Sequence, residues 1–175
     1  SKYIAELAES PEFLQAPHRM MNQKGMTDRE LVCRYFAFRL LYSFFDTTKD
    51  MDDFLDKGMN ALSALFENDF EKEVIRFKTT MQRCYAILKD ITFININSKQ
   101  KRINKNLFDA FSYTISRLSD VEYQSLLRQS EQLRTEYMQL FEVEGFLAET
   151  KLRKTSKRAV RERFDTMDRF IKQFT

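Results

Sequence analysis

Residues that form tight turns are scarce in this 175-residue chain. It contains three glycines and two prolines, against seventeen phenylalanines, eight methionines and seven tyrosines. A fold with many β-strands needs frequent turn residues, so the composition argues against one, while the apolar side chains can form a substantial core. We therefore predict an all-α fold, an irregular bundle of about six to eight helices in a single helical domain over residues 1–175.

Residues that bind metals or take part in catalysis are also scarce. His18 is the only histidine, which excludes metal sites with several histidine ligands. Cys33 and Cys84 match no metal-site or disulfide spacing, and we interpret both as ordinary buried thiols in a reducing cytosol. The acidic residues within 46–56 lack the central glycine of a calcium loop, and no glycine-rich phosphate loop is present. We predict no catalytic residue, no metal site and no cofactor.

A hydrophobic run long enough to cross a bilayer is absent as well. The longest apolar stretch, residues 35–45, is interrupted by Arg39 and is too short, and the start of the chain shows no signal peptide. We therefore expect a soluble, cytoplasmic protein without a membrane partner. Because the chain begins with Ser1 and shows helical spacing within its first residues, we also interpret it as a C-terminal fragment of a longer protein.

A capping signal marks the start of the central helix. Thr27 and Glu30 fit a capping box, in which each side chain accepts a hydrogen bond from the backbone N–H of the other residue. The residues that follow are apolar on nearly every face, a pattern typical of a helix that other helices surround. The central helix is therefore predicted at about residues 28–45.

Apolar spacing places the helices in the middle of the chain. One amphipathic pattern extends over about residues 54–91, with Asn68 or Asp69 as a cap or kink. Residues 92–103 are rich in β-branched and amide side chains, which favours a short strand or an irregular loop. Helical spacing then resumes over about residues 107–118.

Polar side chains also mark the last two predicted helices. A second capping box, formed by Ser119 and Glu122, predicts a helix to about residue 141. Thr155 or Ser156 is expected to cap the final helix. The apolar face predicted for that helix consists of Val160, Phe164, Met167, Phe170 and Ile171.

Two arginines, Arg34 and Arg39, interrupt the most apolar helix. A guanidinium stays charged when it is buried, so each needs a partner. One interpretation is a buried ion pair that fixes the packing of the helix, and the other is a role facing a ligand. We expect Arg34 to be largely buried and paired with an aspartate or glutamate.

Basic residues are concentrated in two later parts of the chain. The stronger concentration lies at the start of the last helix, where free backbone N–H groups also attract anions, so it is a candidate surface for nucleic-acid phosphates. A solvated or domain-facing surface is the alternative. The candidate residues are Lys101, Arg102, Lys105, Lys151, Arg153, Lys154, Lys157, Arg158, Arg161 and Arg163.

Four blocks of the sequence, residues 18–38, 53–56, 102–110 and 154–164, also follow a known pattern in order. Together they resemble the helical region of the GmrSD-like family, bacterial proteins with a ParB/sulfiredoxin-like N-terminal domain. The residues that match the motifs of that family are Arg19, Met20, Asp28, Glu30, Arg34, Asn104, Lys105, Thr155 and Ser156.

The resemblance implies a function for the parent protein rather than for this chain. Nuclease and nucleotide-hydrolysing activity in the family is associated with the N-terminal domain and its D-G-Q-Q-R motif, which is absent here. The resemblance therefore implies the non-catalytic helical half of a restriction or phage-defence protein, with its own N-terminal domain as a partner.

Two hypotheses follow. The first is an accessory domain that packs on that N-terminal domain and contacts DNA phosphates through its basic residues. The second is a protein-interaction or dimerisation module, in which exposed phenylalanine and methionine side chains bind a partner chain or a second copy. An enzyme remains an alternative only if His18 or Arg34 lines a deep pocket.

Overall fold

The computed structural model describes residues 2–15 and 26–175. These residues form ten α-helices, eight of them with seven residues or more, and no β-strand, which confirms the all-α prediction. Two 3₁₀ helices cover Tyr42–Thr47 and Lys89–Ile91. In chain order, the α-helices are α1 (Lys2–Ala8), α2 (Pro11–Leu14), α3 (Met26–Leu41), α4 (Met51–Ser63), α5 (Glu67–Leu88), α6 (Lys105–Ser116), α7 (Asp120–Arg128), α8 (Ser130–Gln139), α9 (Glu149–Leu152) and α10 (Lys157–Lys172).

Helix α3 occupies the predicted central position and packs against α1, α4 and α6. Because helices cover it on several sides, most of its apolar side chains are buried, and Leu40 and Leu41 at its end are partly buried. The α-helix ends at Leu41, earlier than predicted, and the chain continues as a 3₁₀ helix that leaves Phe44 exposed. The most deeply buried side chains of α3 include Leu31, Val32, Tyr35, Phe36 and Phe38.

The predicted capping box at the start of α3 is wrong. The helix begins at Met26, so Thr27 already lies in its first turn. The Glu30 carboxylate instead accepts hydrogen bonds from Lys105, on another helix. Asp28 is buried in the first turn, where the helix dipole favours a carboxylate.

Two predicted helix boundaries also differ. The break between α4 and α5 lies at residues 64–66 rather than at Asn68 or Asp69, and Phe66 occupies the N-cap of α5. The helix predicted to extend from residue 119 is two helices, α7 and α8, separated at Gln129. At this break the Gln129 amide donates a hydrogen bond to the Phe174 carbonyl, so the interruption joins the helix pair to the end of the chain.

The two other capping signals are confirmed. Ser119 Oγ accepts from the backbone N–H of Glu122, whose carboxylate accepts from the N–H of Ser119. Ser156 Oγ accepts from the backbone N–H of Ala159 and caps α10. All five apolar side chains predicted to form the core face of the last helix are buried.

Residues 92–103 form an irregular segment with one isolated antiparallel bridge, between Ile94 and Ile103. The backbone N–H of Asn104 donates to the Phe93 carbonyl at 2.7 Å, and the Phe93 side chain is fully buried. These contacts hold the end of the segment against the start of α6.

Helices α3 and α4 approach each other most closely at Gly58. A Cβ atom at this position would lie 2.5 Å from the Ala37 Cβ and 2.6 Å from the Ala37 Cα. Since part of this contact is backbone, a side-chain rotation cannot relieve it. The small residue therefore allows the central helix and α4 to pack directly together.

We expect Gly58→Ala to lower the free energy of unfolding by about 1–3 kcal/mol, because overpacking outweighs the helix propensity that alanine gains. Urea unfolding measures the change. Asn60→Ala, at an exposed position of the same helix, is the matched control and is expected to change stability by less than about 0.5 kcal/mol. A Gly58→Ala protein as stable as the wild type would contradict the close packing.

Candidate nucleic-acid interface

A polar bridge, consisting of Glu30, Arg34, Lys105 and Asp109, joins α3 to α6. The two residues on each helix lie about one turn apart and therefore share a face. Lys105 Nζ lies 2.9 and 2.7 Å from the two carboxylate oxygens of Glu30. Arg34 Nε lies 3.0 and 3.1 Å from those of Asp109, and its guanidinium is 3.5 Å from Glu30. The bridge thus brings residues of the first and third resemblance blocks together.

The ion pair between Arg34 and Asp109 lies inside the core. Arg34 is 6% exposed and Asp109 is 3% exposed. Burial lowers the pKa of the Arg34 guanidinium, but its attraction to Asp109 and Glu30 outweighs burial and holds that pKa above its ordinary value. The expectation of a buried, acid-paired Arg34 is confirmed. This geometry favours a bracing role for Arg34 over a role facing a ligand.

The other arginine of the central helix also braces it. Arg39 Nε lies 3.2 Å from a carboxylate oxygen of Glu73, and both side chains are largely shielded from solvent. This contact joins α3 to α5, as the polar bridge joins α3 to α6.

Sequence reasoning predicts an acidic partner for Arg34 without identifying Asp109. The sequence signal that identifies Asp109 is the order of charges on the two helices. Glu30 and Arg34 are spaced like Lys105 and Asp109, with the signs reversed. Two helices packed side by side can pair both sets at once, and this structure does so.

Arg163, one of the predicted phosphate-contacting residues, is buried. Its guanidinium donates to the backbone carbonyls of Lys151, Leu152 and Lys154, at 3.2, 3.3 and 2.6 Å. The last carbonyl groups of a helix have no hydrogen-bond donor within that helix, and here the Arg163 guanidinium donates to them. It therefore holds the connection between α9 and α10, beneath the exposed candidate residues Lys151 and Lys154.

Two asparagines fix the start of α6. The Asn104 side chain accepts from the backbone N–H groups of Asn106 and Leu107 and so caps the helix. Asn106 Nδ2 donates to the Leu152 carbonyl at 2.8 Å, across 46 residues of sequence. The start of α6 is therefore tied to the end of α9.

Lys157 and Arg161, near the start of α10, bind within the chain. Lys157 Nζ donates to the carbonyls of Asp46, at 3.1 Å, and Thr48. Arg161 Nε lies 2.9 Å from Asp46 Oδ2, and its guanidinium carbon lies 4.3 Å from the centre of the Tyr42 ring, a cation–π contact. Both side chains thus attach α10 to the 3₁₀ helix after α3.

The remaining candidate residues form what we call the basic edge, on the solvent side of the junction between α6 and α9. All of its side chains are exposed, and Thr155 and Ser156 beside them are exposed too. The sequence predicts two separate concentrations of charge, and the structure brings one member of each together, because Arg102 and Arg153 line the same cavity. The basic edge consists of Lys101, Arg102, Lys105, Lys151, Arg153, Lys154 and Arg158.

A cavity of about 290 Å³ lies where the two parts of the basic edge meet. Arg102 lines it from the irregular segment, and Arg153 lines it from the end of α9. Most of its other lining side chains are polar, so its surface suits a hydrated or anionic group better than an apolar one. These other residues are Asn95, Ser98, Gln100, Ile103, Asn104, Glu149 and Leu152.

Three carboxylates accompany the basic edge. Glu30 pairs with Lys105, Glu149 with Arg153, and Glu162 with Arg158. The exposed pairs of Arg153 and Arg158 contribute little free energy, so a phosphate can replace their carboxylates at low cost, whereas the pair of Lys105 with Glu30 belongs to the polar bridge. The edge therefore keeps a net positive charge that an anionic partner can reach.

The structure describes residues 2–15 and 26–175, where metal-binding and thiol chemistry can be located. This part of the chain has no group of three or more His, Cys, Asp or Glu side chains that could hold a metal ion. Cys84 is buried, and burial raises the pKa of its thiol, whereas Cys33 is only partly buried, contrary to the expectation for it. The predicted family residues Arg19 and Met20, together with His18, lie outside the described residues.

Within the same ranges, no helix has the length and apolar character that crossing a membrane requires. Comparison of the chain with protein-family models, with curated proteins and with solved structures finds no match.

The polar bridge predicts a large difference between buried and exposed arginines. Arg34→Met leaves Asp109 buried without a counter-charge, and we expect it to lower the free energy of unfolding by about 3–5 kcal/mol. Arg158→Met makes the same chemical change in the exposed ion pair with Glu162. It is expected to lower the free energy of unfolding by less than about 0.5 kcal/mol. Thermal and urea unfolding measure both. Equal effects of the two substitutions would contradict the role assigned to Arg34.

Proposed function

We propose that this chain is a non-catalytic helical accessory domain that contacts nucleic-acid phosphates through the basic edge. The resemblance to GmrSD-like proteins supports a wider role: bracing or regulating a nuclease or nucleotide-hydrolysing domain in a cytoplasmic restriction or phage-defence protein. The observation that carries the proposal is the cavity that Arg102 and Arg153 line together.

The distribution of partners among the cations supports this proposal. Of the cationic candidate residues, Arg163, Arg161 and Lys157 are buried or partly buried and bind groups within the chain, and the exposed Lys105 also binds Glu30 in the polar bridge. The seven side chains of the basic edge remain exposed. Four of them form no ion pair among the described residues: Lys101, Arg102, Lys151 and Lys154.

The charge of the basic edge sets the expected strength and salt dependence of binding. Each phosphate that a cation neutralises releases counterions from DNA, so affinity falls as salt rises. If these four cations and Arg153, whose carboxylate partner a phosphate can replace, contact phosphates, the logarithm of the binding constant falls with the logarithm of salt concentration with a slope of about −4 to −5. Contacts of this kind carry no base-sequence preference.

We predict weak, salt-dependent binding of a short, fluorescently labelled DNA duplex to the isolated chain, measured by anisotropy over a salt series. The double substitution Arg102→Glu/Arg153→Glu reverses the charge of both arginines of the cavity. We expect it to weaken binding at low salt by roughly tenfold or more. The plot of the logarithm of the binding constant against the logarithm of salt concentration should become less steep by about 2.

The matched control is Arg128→Glu/Arg169→Glu, which changes the net charge equally at two exposed arginines outside the basic edge. We expect it to weaken binding less than about threefold, through the net charge alone. Circular dichroism checks that both proteins remain folded. The proposal fails if the wild type shows no binding at low salt, or if the two double variants weaken binding equally.

A further inference from the structure

Phe66 is an unusual residue for its position. It occupies the N-cap of α5, where serine, threonine, aspartate or asparagine would accept a hydrogen bond from the helix, and its side chain makes none. The side chain is also 84% exposed, so it adds little to the core. Neither capping nor core packing explains a phenylalanine here.

An apolar groove lies beside Phe66. It has a volume of about 710 Å³, and the neighbours of Phe66 in sequence, Leu65 and Glu67, both line it. Tyr3 on its wall is 57% exposed and packs edge-on against Phe70, with ring centres 5.1 Å apart. An apolar surface of this size beside an exposed aromatic side chain marks an interaction site. The main apolar lining residues are Tyr3, Ile4, Met59, Leu62, Leu65 and Phe70.

The groove carries one charge of each sign. Arg29 and Glu67 both line it, and neither forms an ion pair or a side-chain hydrogen bond within the described part of the chain. In a pair of identical grooves, the unpaired cation of each can face the unpaired anion of the other, so a second copy of the chain is complementary in charge. An acidic partner would pair only with Arg29, and a basic partner would pair only with Glu67.

We propose that the groove binds a second copy of this chain in a two-fold dimer. Such an interface uses the same surface of both copies, so a protruding group and its receptor must lie close together, and Phe66 lies in the sequence between two residues that line the groove, Leu65 and Glu67. Phe66 of each copy enters the groove of the other, and Arg29 of each copy pairs with Glu67 of the other. No residue of the basic edge lines the groove, so this proposal is independent of nucleic-acid binding.

Sedimentation of the full chain over a concentration series tests the dimer, which the wild type is expected to form. Phe66→Ser removes the protruding ring and is expected to raise the dimer dissociation constant by roughly tenfold or more. Because serine is a good N-cap residue, the same substitution should leave the helix as stable or more stable, so unfolding cannot explain a monomer. Val143→Ser, at a valine 86% exposed, is the matched control and should dimerise like the wild type.

Charge reversal provides a second, stricter test. Arg29→Glu alone and Glu67→Arg alone each place like charges opposite one another twice in a dimer, so each variant is expected to be largely monomeric. Mixed in equal amounts, the two variants restore both opposite-charge pairs, and a heterodimer is expected.

The outcomes separate a second copy from other occupants. A wild type that stays monomeric at every concentration overturns the proposal, as expected if the groove binds a peptide or a small apolar molecule instead. A Phe66→Ser protein that dimerises like the wild type also overturns it. So does a mixture of the two charge variants that remains monomeric.

Discussion

The structure depends on neutralising the charge of Arg34 inside the core. A guanidinium keeps its charge at physiological pH, so an arginine buried in an apolar helix requires an anion at a fixed position. Asp109 on α6 supplies that anion, and Glu30 and Lys105 repeat the pairing one turn earlier, nearer the surface. Apolar packing tolerates several arrangements of two helices, but a shift of one residue here would leave a buried charge unpaired. We infer that the polar bridge selects the register between α3 and α6.

The same register positions the surface that we propose as functional. Asn106 on α6 binds the end of α9, and Arg163 binds the carbonyls of the connection that follows. These contacts place Arg153 beside Arg102, although the two residues lie far apart in the sequence. Basic residues therefore have two roles in one part of the molecule. The buried Arg34 and Arg163 hold a carboxylate and backbone carbonyls, the exposed ones give the edge its charge, and Lys105 does both.

Much of the fold could be predicted from the sequence, because helical periodicity and capping are local properties. The central helix, the Ser119 capping box and the cap at Ser156 are examples. The ends of helices were less predictable. Aromatic residues continue past Leu41, interrupted only by Ser43, and only the surrounding helices decide that Phe45 is buried and Phe44 is not. The burial of Arg163 has a local signal, because it lies three residues after Val160 and four before Met167, on the apolar face of α10, whereas Arg158 lies on the opposite face. Its backbone partners could not be predicted, because they depend on how α9 folds against α10.

A double-mutant cycle between Arg34 and Asp109 tests the central claim most directly. The free energies of unfolding of Arg34→Met, Asp109→Leu and the double variant give the energy that couples the two side chains. If the ion pair braces the helices, either single change strands a buried charge and the double change removes both. The double variant should then be more stable than the sum of the single effects predicts, with a coupling energy of about 2 kcal/mol or more. Effects that add to within about 0.5 kcal/mol would contradict the account.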